Sequence, residues 1–151
     1  MIRIIAIGRK HESWIAEGLE RYQKRLKQPW NIEWVLLPHS AREGLGARQE
    51  ESQCISNRLN DTDFVVLLDE TGKPYNSPAL SELCQQVFNT GKKLVFVIGG
   101  AYGVDDAMRQ RADRVLSLSK LVFPHQLVRL IVVEQLYRSQ EIASGGKYHH
   151  E

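Results

Sequence analysis

Apolar residues gather in four short runs, at residues 2–8 (IRIIAIG), 32–38 (IEWVLLP), 63–69 (DFVVLLD) and 93–100 (KLVFVIGG). A fifth run, 114–119 (RVLSLS), is more polar. The third and fourth are nearly continuous in Val, Leu, Ile and Phe, as strands covered on both faces should be. Helical spacing fills the intervals. Residues 12–27 place Ile15, Leu19, Tyr22 and Leu26 on one stripe. Residues 77–89 open with Ser77-Pro78, read as an N-cap and a first-turn proline, and stop before Gly91. Residues 126–142 carry Leu127, Leu130, Ile131, Val133, Leu136 and Tyr137, with Pro124 just upstream. Strands alternating with helices predict an α/β domain, a mostly parallel sheet with helices on both faces. No repeat or break in composition divides residues 1–151, so one domain is expected. The polar segment 39–46 (HSAREGLG) reads as a mobile loop before the second helix.

Composition narrows the picture. A chain of 151 residues with 42% hydrophobic and 25% charged positions is long enough to bury a core and is not of disordered type. Its net charge of +2 does not announce nucleic acid. The surplus lies early, with 10 Lys/Arg against 7 Asp/Glu in residues 1–60 and 10 against 11 afterwards. Cys54 and Cys84 stand thirty positions apart without a C-x-x-C pair, which excludes a zinc ribbon and suggests two buried thiols in a reducing compartment. No signal peptide precedes the first run, and no apolar run approaches the roughly 18 residues of a membrane span. A cytoplasmic protein with no membrane partner is expected. No cluster suggests a metal, and none is predicted.

In an open α/β sheet, ligands collect beyond the carboxyl ends of the strands. After the first run stands Gly8-Arg9-Lys10, without G-x-G-x-x-G, and the second lacks the acid that grips a ribose. A dehydrogenase and an ordinary Rossmann methyltransferase lose weight, and no P-loop occurs. The later loops are richer: Leu68-Asp69-Glu70-Thr71-Gly72-Lys73, then Gly99-Gly100-Ala101-Tyr102-Gly103, then Leu118 to Phe123. Such glycines would bare backbone amides to a ligand, or simply make a tight turn. The ligand is expected in the C-terminal half.

Six motifs in order carry a resemblance. They are I-x-I-x-A-x-G from Ile2, L-D-x-x-G-K from Leu68, F-V-I-G-G-x-x-G from Phe96, L-S-x-S-K-x-x-F-P-H-Q-x-x-R from Leu116, E-Q-x-Y-R from Glu134, and the terminal Tyr148-His149. Together they resemble the RlmH group of SPOUT ribosomal RNA methyltransferases over essentially the whole chain, with Lys147 where the family usually has a small residue or proline. The resemblance implies a single SPOUT domain with a deep C-terminal trefoil knot, a homodimer, and S-adenosylmethionine as cofactor. It implies methylation of N3 of a pseudouridine in 23S ribosomal RNA, pseudouridine 1915 in the family, with the ribosome as partner. Carried over by motif, the cofactor positions are Leu68, Gly99, Leu118, Ser119, Lys120, Leu121, Val122 and Phe123. A SPOUT enzyme with another target such as transfer RNA, or a silent dimeric RNA-binding module, remains the alternative.

Transfer to an imide nitrogen requires loss of the N3 proton and in-line attack on the sulfonium methyl. His125 and Arg129 share one face near the start of the last helix, where a developing anion is favoured. Arg129 is expected to meet RNA phosphate or the imide anion, and His125 to orient the substrate or the tail. The plainer alternative has His125 capping the helix and Arg129 paired with an acid across the dimer. The family pattern puts Tyr148 and His149 over a neighbouring active site, with His149 a candidate proton acceptor. Glu134 and Arg138, at i,i+4, first suggest a helix ion pair. Arg9, Lys10, Arg21, Lys24 and Arg25 are the candidate phosphate contacts.

Overall fold

The structure is a computed structural model, and residues 1–150 are described. Five strands, β1 (Ile2–Ile7), β2 (Ile32–Leu37), β3 (Phe64–Pro74), β4 (Leu94–Ile98) and β5 (Arg114–Ser117), form one parallel sheet in the order β2-β1-β4-β3-β5. Helices α1 (Ser13–Gln23), α2 (Gly44–Ser56), α3 (Ser77–Thr90), α4 (Asp106–Arg111) and α5 (His125–Ala143) connect and cover them. The period-2 alternation of side chains sorts each inner strand between two cores. Ile4 and Ala6 of β1 pack with Ile15 and Leu19 of α1, Leu80 and Cys84 of α3, and Val133 and Leu136 of α5. Ile5 and Ile7 point the other way, onto Ile55 of α2 and Met108 of α4. This double covering explains the unbroken apolar runs.

Several local expectations need correction. The third strand does not end at Asp69. It runs to Pro74, and Leu116 of β5 pairs with both Leu68 and Lys73, so the four residues between are looped out of the ladder. Gly72 returns the excursion to β5 so closely that a Cβ there would lie 2.6 Å from the Val115 carbonyl oxygen. The cap of α3 is Asn76, whose side chain accepts from the Ala79 amide (2.9 Å). Ser77 is already helical and donates its hydroxyl to Gln135 (2.6 Å) instead. The segment 39–46 is shorter as a loop than expected, because α2 starts at Gly44. Helix α1 stops at Gln23, three residues before the end of its apolar stripe, and Leu26 reaches the core from the turn that follows.

Cys84 is buried, and its burial pushes the thiol up to about 12, so it acts as a small core hydrophobe. Cys54 is only partly buried, and both cysteines are free. No helix among the described residues is long and apolar enough to cross a membrane. Asn76→Ala should lower stability by about 1 kcal/mol, the usual worth of an N-cap. Denaturant unfolding reads it directly, and an unchanged midpoint would refute the cap.

Candidate functional site

A cavity of about 660 Å³ opens at the carboxyl ends of β3 and β4, a volume in the range of small-ligand sites. Its walls come from three loops. The β3 excursion supplies Leu68, Asp69, Glu70 and Thr71. The glycine loop supplies residues 99–103, and the segment after β5 supplies Leu118, Ser119, Leu121, Val122 and Phe123. Seven of the eight positions carried over for the cofactor therefore line one space; exposed Lys120 does not. Gly103 has φ +74°, and a Cβ there would meet nothing within 4 Å, so its backbone faces open space. Ser117 and Ser119 shape the third wall: the Ser117 hydroxyl donates to the Ser119 carbonyl (2.8 Å), and the Ser119 hydroxyl accepts from the Leu121 amide (3.0 Å).

The sequence motifs omit the supports of this cavity. Arg109 of α4 reaches across to Asp69 (3.2 Å) and donates to the Thr71 hydroxyl (2.8 Å). Burial opposes charging of Asp69, but its bonds from Thr71 and the Arg109 guanidinium outweigh that and hold its carboxyl below the usual range. Helix α2 holds the carboxyl end of the glycine loop and the residues just after it. Arg48 donates to the Tyr102 carbonyl (2.8 Å), and the Ser52 hydroxyl accepts from the Asp105 amide (2.9 Å). Between them Glu51, only 4% exposed, lies against Gly100, where any Cβ would collide with its Oε1. Its Oε2 accepts from the Ser40 amide (2.9 Å). Spacing at 48, 51 and 52 was the available signal, but it points nowhere until the fold brings the glycine loop alongside.

Arg129 corrects the sequence reading most sharply. It has no solvent exposure. Its guanidinium donates to the carbonyls of Ile7 (2.9 Å), Gly8 (3.0 Å) and Lys10 (2.8 Å), and Nη1 lies 3.2 Å from His11 Nδ1. It is committed to the turn after β1 and is not presented to phosphate. Gly8, at φ +116°, makes room: a Cβ there would stand 2.8 Å from Arg129 Nη2. Because arginine only donates, His11 Nδ1 must accept, which disfavours a charged ring. Burial first, and Arg129 second, accordingly lower the His11 pKa. His125 is the first residue of α5, with Pro124 at the cap position, and it lines the cavity half-buried. Its pKa is lowered by burial, then by Arg129 and His39, while Glu51 and Glu70 oppose.

The tail folds back on its own helix. Tyr148 packs edge-on against Tyr137 (4.9 Å between centroids) beneath the Arg138 guanidinium, and its hydroxyl donates to Glu134 (3.3 Å). Glu134 and Arg138 do form the i,i+4 pair, at 2.6 Å. Burial, then a hydrogen bond with Tyr22, push the Tyr148 phenol up to about 12, so it serves as a donor here. Arg138 Nη1 lies 3.1 Å from His149 Nδ1. His149 lines a second cavity of about 530 Å³, which shares only Leu118 with the first. The basic residues divide as well. Arg9 and Lys10 are exposed near the cavity end of the sheet, whereas Arg21, Lys24 and Arg25 are exposed toward the opposite end, where Ile2 bonds to Asn31. No group of acidic, histidine or cysteine side chains suited to a metal ion occurs among the described residues.

Residues 1–149 match the family model described as predicted SPOUT methyltransferase. Curated proteins named ribosomal RNA large subunit methyltransferase H are similar over nearly the whole chain. That of Cytophaga hutchinsonii is 37% identical across 99% of both chains. That of Christiangramia forsetii is 39% identical, covering 99% of this chain and 98% of its own. That of a Synechococcus species is 42% identical, covering 98% and 93%. The crystal structure of a probable methyltransferase from Bordetella pertussis Tohama I superposes with a TM-score of 0.57 at 12% identity, over 91% of this chain and 95% of its own, and shares the fold.

Two outcomes are expected. Arg129→Met, which strands three carbonyls, should cost on the order of 3 kcal/mol or more, measured by urea unfolding; a smaller loss than 1 kcal/mol would contradict the anchoring role. His11 and His125 bind protons less readily folded than unfolded. As pH falls through the unfolded value of 6.5, the unfolded chain takes up protons first, and stability drops until the lower folded pKa values are passed. The urea midpoint should therefore be lower at pH 5.5 than at pH 7.5, and the drop should shrink in His11→Gln. A midpoint that rises on acidification would refute both shifts.

Proposed function

We propose that this chain, which belongs to the SPOUT methyltransferase family and within it to the ribosomal RNA large subunit methyltransferase H group, transfers a methyl group from S-adenosylmethionine to N3 of a pseudouridine in 23S ribosomal RNA of the assembled ribosome. The observation that carries the reading is the convergence of Leu68, Gly99 and five residues of the segment 118–123 on one cavity. The adjacent parallel strands β4, β3 and β5 bring these segments side by side, and their side chains share one wall there. The names of the relatives support ribosomal RNA as substrate. The same reading takes the protein as a cytoplasmic homodimer whose C-terminal half is knotted, an exception to the rule that chains do not thread loops.

The residues present fit the proposed cofactor. Leu118, Leu121, Val122 and Phe123 offer an apolar wall for a purine, Gly103 an open backbone, and Glu70 and Asp106 on the same wall a counter-charge for a cationic ligand. When bound, S-adenosylmethionine supplies a methyl on a sulfonium, with a neutral thioether as leaving group. The protein orients and encloses. Leu121 and Val122 are 70% and 77% exposed in the single chain, so closure over the methyl requires a partner surface, which supports the dimer. Arg9 and Lys10 are the phosphate contacts nearest the cavity, while Arg21, Lys24 and Arg25 would meet RNA only if it wrapped past the far end of the sheet. Tyr148 and His149 belong to the tail that closes the site in this reading.

The test offers labelled S-adenosylmethionine and the protein to intact ribosomes, free large subunits and transfer RNA, all lacking the modification, and identifies the labelled nucleotide. Label on N3 of a ribosomal pseudouridine is expected. Label only in transfer RNA would replace the substrate, and no label with no cofactor binding would leave a silent RNA-binding module. In parallel, S-adenosylhomocysteine at 100 times its Kd should stabilise the fold by about 2.7 kcal/mol. Leu118→Arg should abolish that gain, and retention of it would move the ligand elsewhere.

A further inference from the structure

One charged group near the cavity is left over by the reading above. Glu51 is almost fully buried, its Oε2 is taken by the Ser40 amide, and its Oε1 has no hydrogen-bond partner among the described residues. Burying a carboxyl oxygen without a donor is costly. Oε1 lies directly behind Gly100, which lines the cavity. His39, mostly exposed, brings Nδ1 to 4.0 Å from Oε2. His125 lines the same cavity and feels the charge of Glu51. Glu51 thus sits behind the Gly100 edge of a cavity that His125 also lines.

We propose that His125 accepts the N3 proton of the target imide and that Glu51 is the positioning residue whose buried carboxylate balances the charge His125 then carries. The inference rests on the methyltransferase reading above. In the step, the imide N3–H bond breaks and its proton goes to a His125 ring nitrogen. The electron pair left on N3 forms the bond to the methyl carbon, and the sulfur–methyl pair stays on sulfur as a thioether. The imidazolium returns its proton to water, and no further reactant is needed. A neutral imidazole is the state the acceptor requires. The charged groups that act on it through space are Arg129 on its own helix, His39 after β2, Glu51 on α2 and Glu70 on β3. The first two disfavour the imidazolium; Glu51 and Glu70 favour it. His149, which meets Arg138 within its own chain, is the rival acceptor that the second measurement separates.

Two measurements test this. The first titrates the His125 ring by NMR in the ligand-free protein and in Glu51→Gln; the midpoint should move to lower pH when the carboxylate is lost. An unmoved midpoint overturns the role of Glu51. If Glu51→Gln does not fold, Glu51→Asp withdraws the charge and should shift the midpoint the same way, by less. The second follows single-turnover methyl transfer to ribosomal RNA against pH, with cofactor Kd measured alongside. An acid limb should appear at the His125 midpoint and follow it downward in Glu51→Gln. His125→Asn should remove the limb and slow transfer by about 100-fold or more at unchanged Kd. A limb that survives His125→Asn and vanishes in His149→Gln overturns the assignment. No transfer by the unaltered protein to any RNA would sink the underlying reading and the acceptor role with it, while the titration would still report whether Glu51 governs His125.

Discussion

Arg129 ties the start of α5 to the turn after β1, 122 positions earlier in the chain. Three carbonyls that emerge at the end of a parallel strand have no next strand residue to pair with, and a guanidinium answers all three at once. Gln126 adds a second tie, donating to the Lys10 carbonyl (3.1 Å) and accepting from the Glu12 amide (2.9 Å). The segment 118–123, which walls the cavity, hangs between β5 and this anchored helix start. Without the anchor its far end would be free and the apolar wall would have no fixed position. The site therefore depends on a buried charge that touches no part of it.

The other walls are held by the same kind of long-range tie. Helix α2 pins the glycine loop and the residues after it through Arg48 and Ser52, and Arg109 pins the β3 excursion through Asp69 and Thr71. Each fixes backbone that forms no ladder of its own. A rigid scaffold carrying three short loops, each clamped from a different helix, is a common way to build a preorganised site. The tail follows a different rule. Past Gly145 (φ +73°), Tyr148 and His149 meet Glu134, Arg138 and Tyr137, while Gly146, Lys147 and His150 are exposed. It is held by a small side-chain cluster, which suits a segment that changes position.

The elements themselves were legible along the chain. The five strands are where the apolar runs stand, because a two-sided parallel sheet needs unbroken Val, Leu and Ile. Helix α3 follows from its Ser-Pro start and the stop at Gly91, and α5 from its apolar stripe. What misled was local chemistry with two solutions: Ser77 and Asn76 are both good caps, and only the chain's entry direction selects Asn76. The β3 bulge was hidden because Asp-Glu-Thr-Gly reads as a loop whether or not the strand resumes beyond it.

The family resemblance, carried by six motifs, named seven residues of one cavity wall that stand at 68, 99 and 118–123 along the chain. It misplaced Arg129 and missed Arg48, Glu51 and Arg109. An arginine beside a histidine at a helix start has the same appearance whether it faces solvent or the interior. Periodicity along the chain determined the sheet and its two covering layers. Only the tertiary structure decided which charges are buried, because burial depends on which carbonyls a distant segment leaves unpaired.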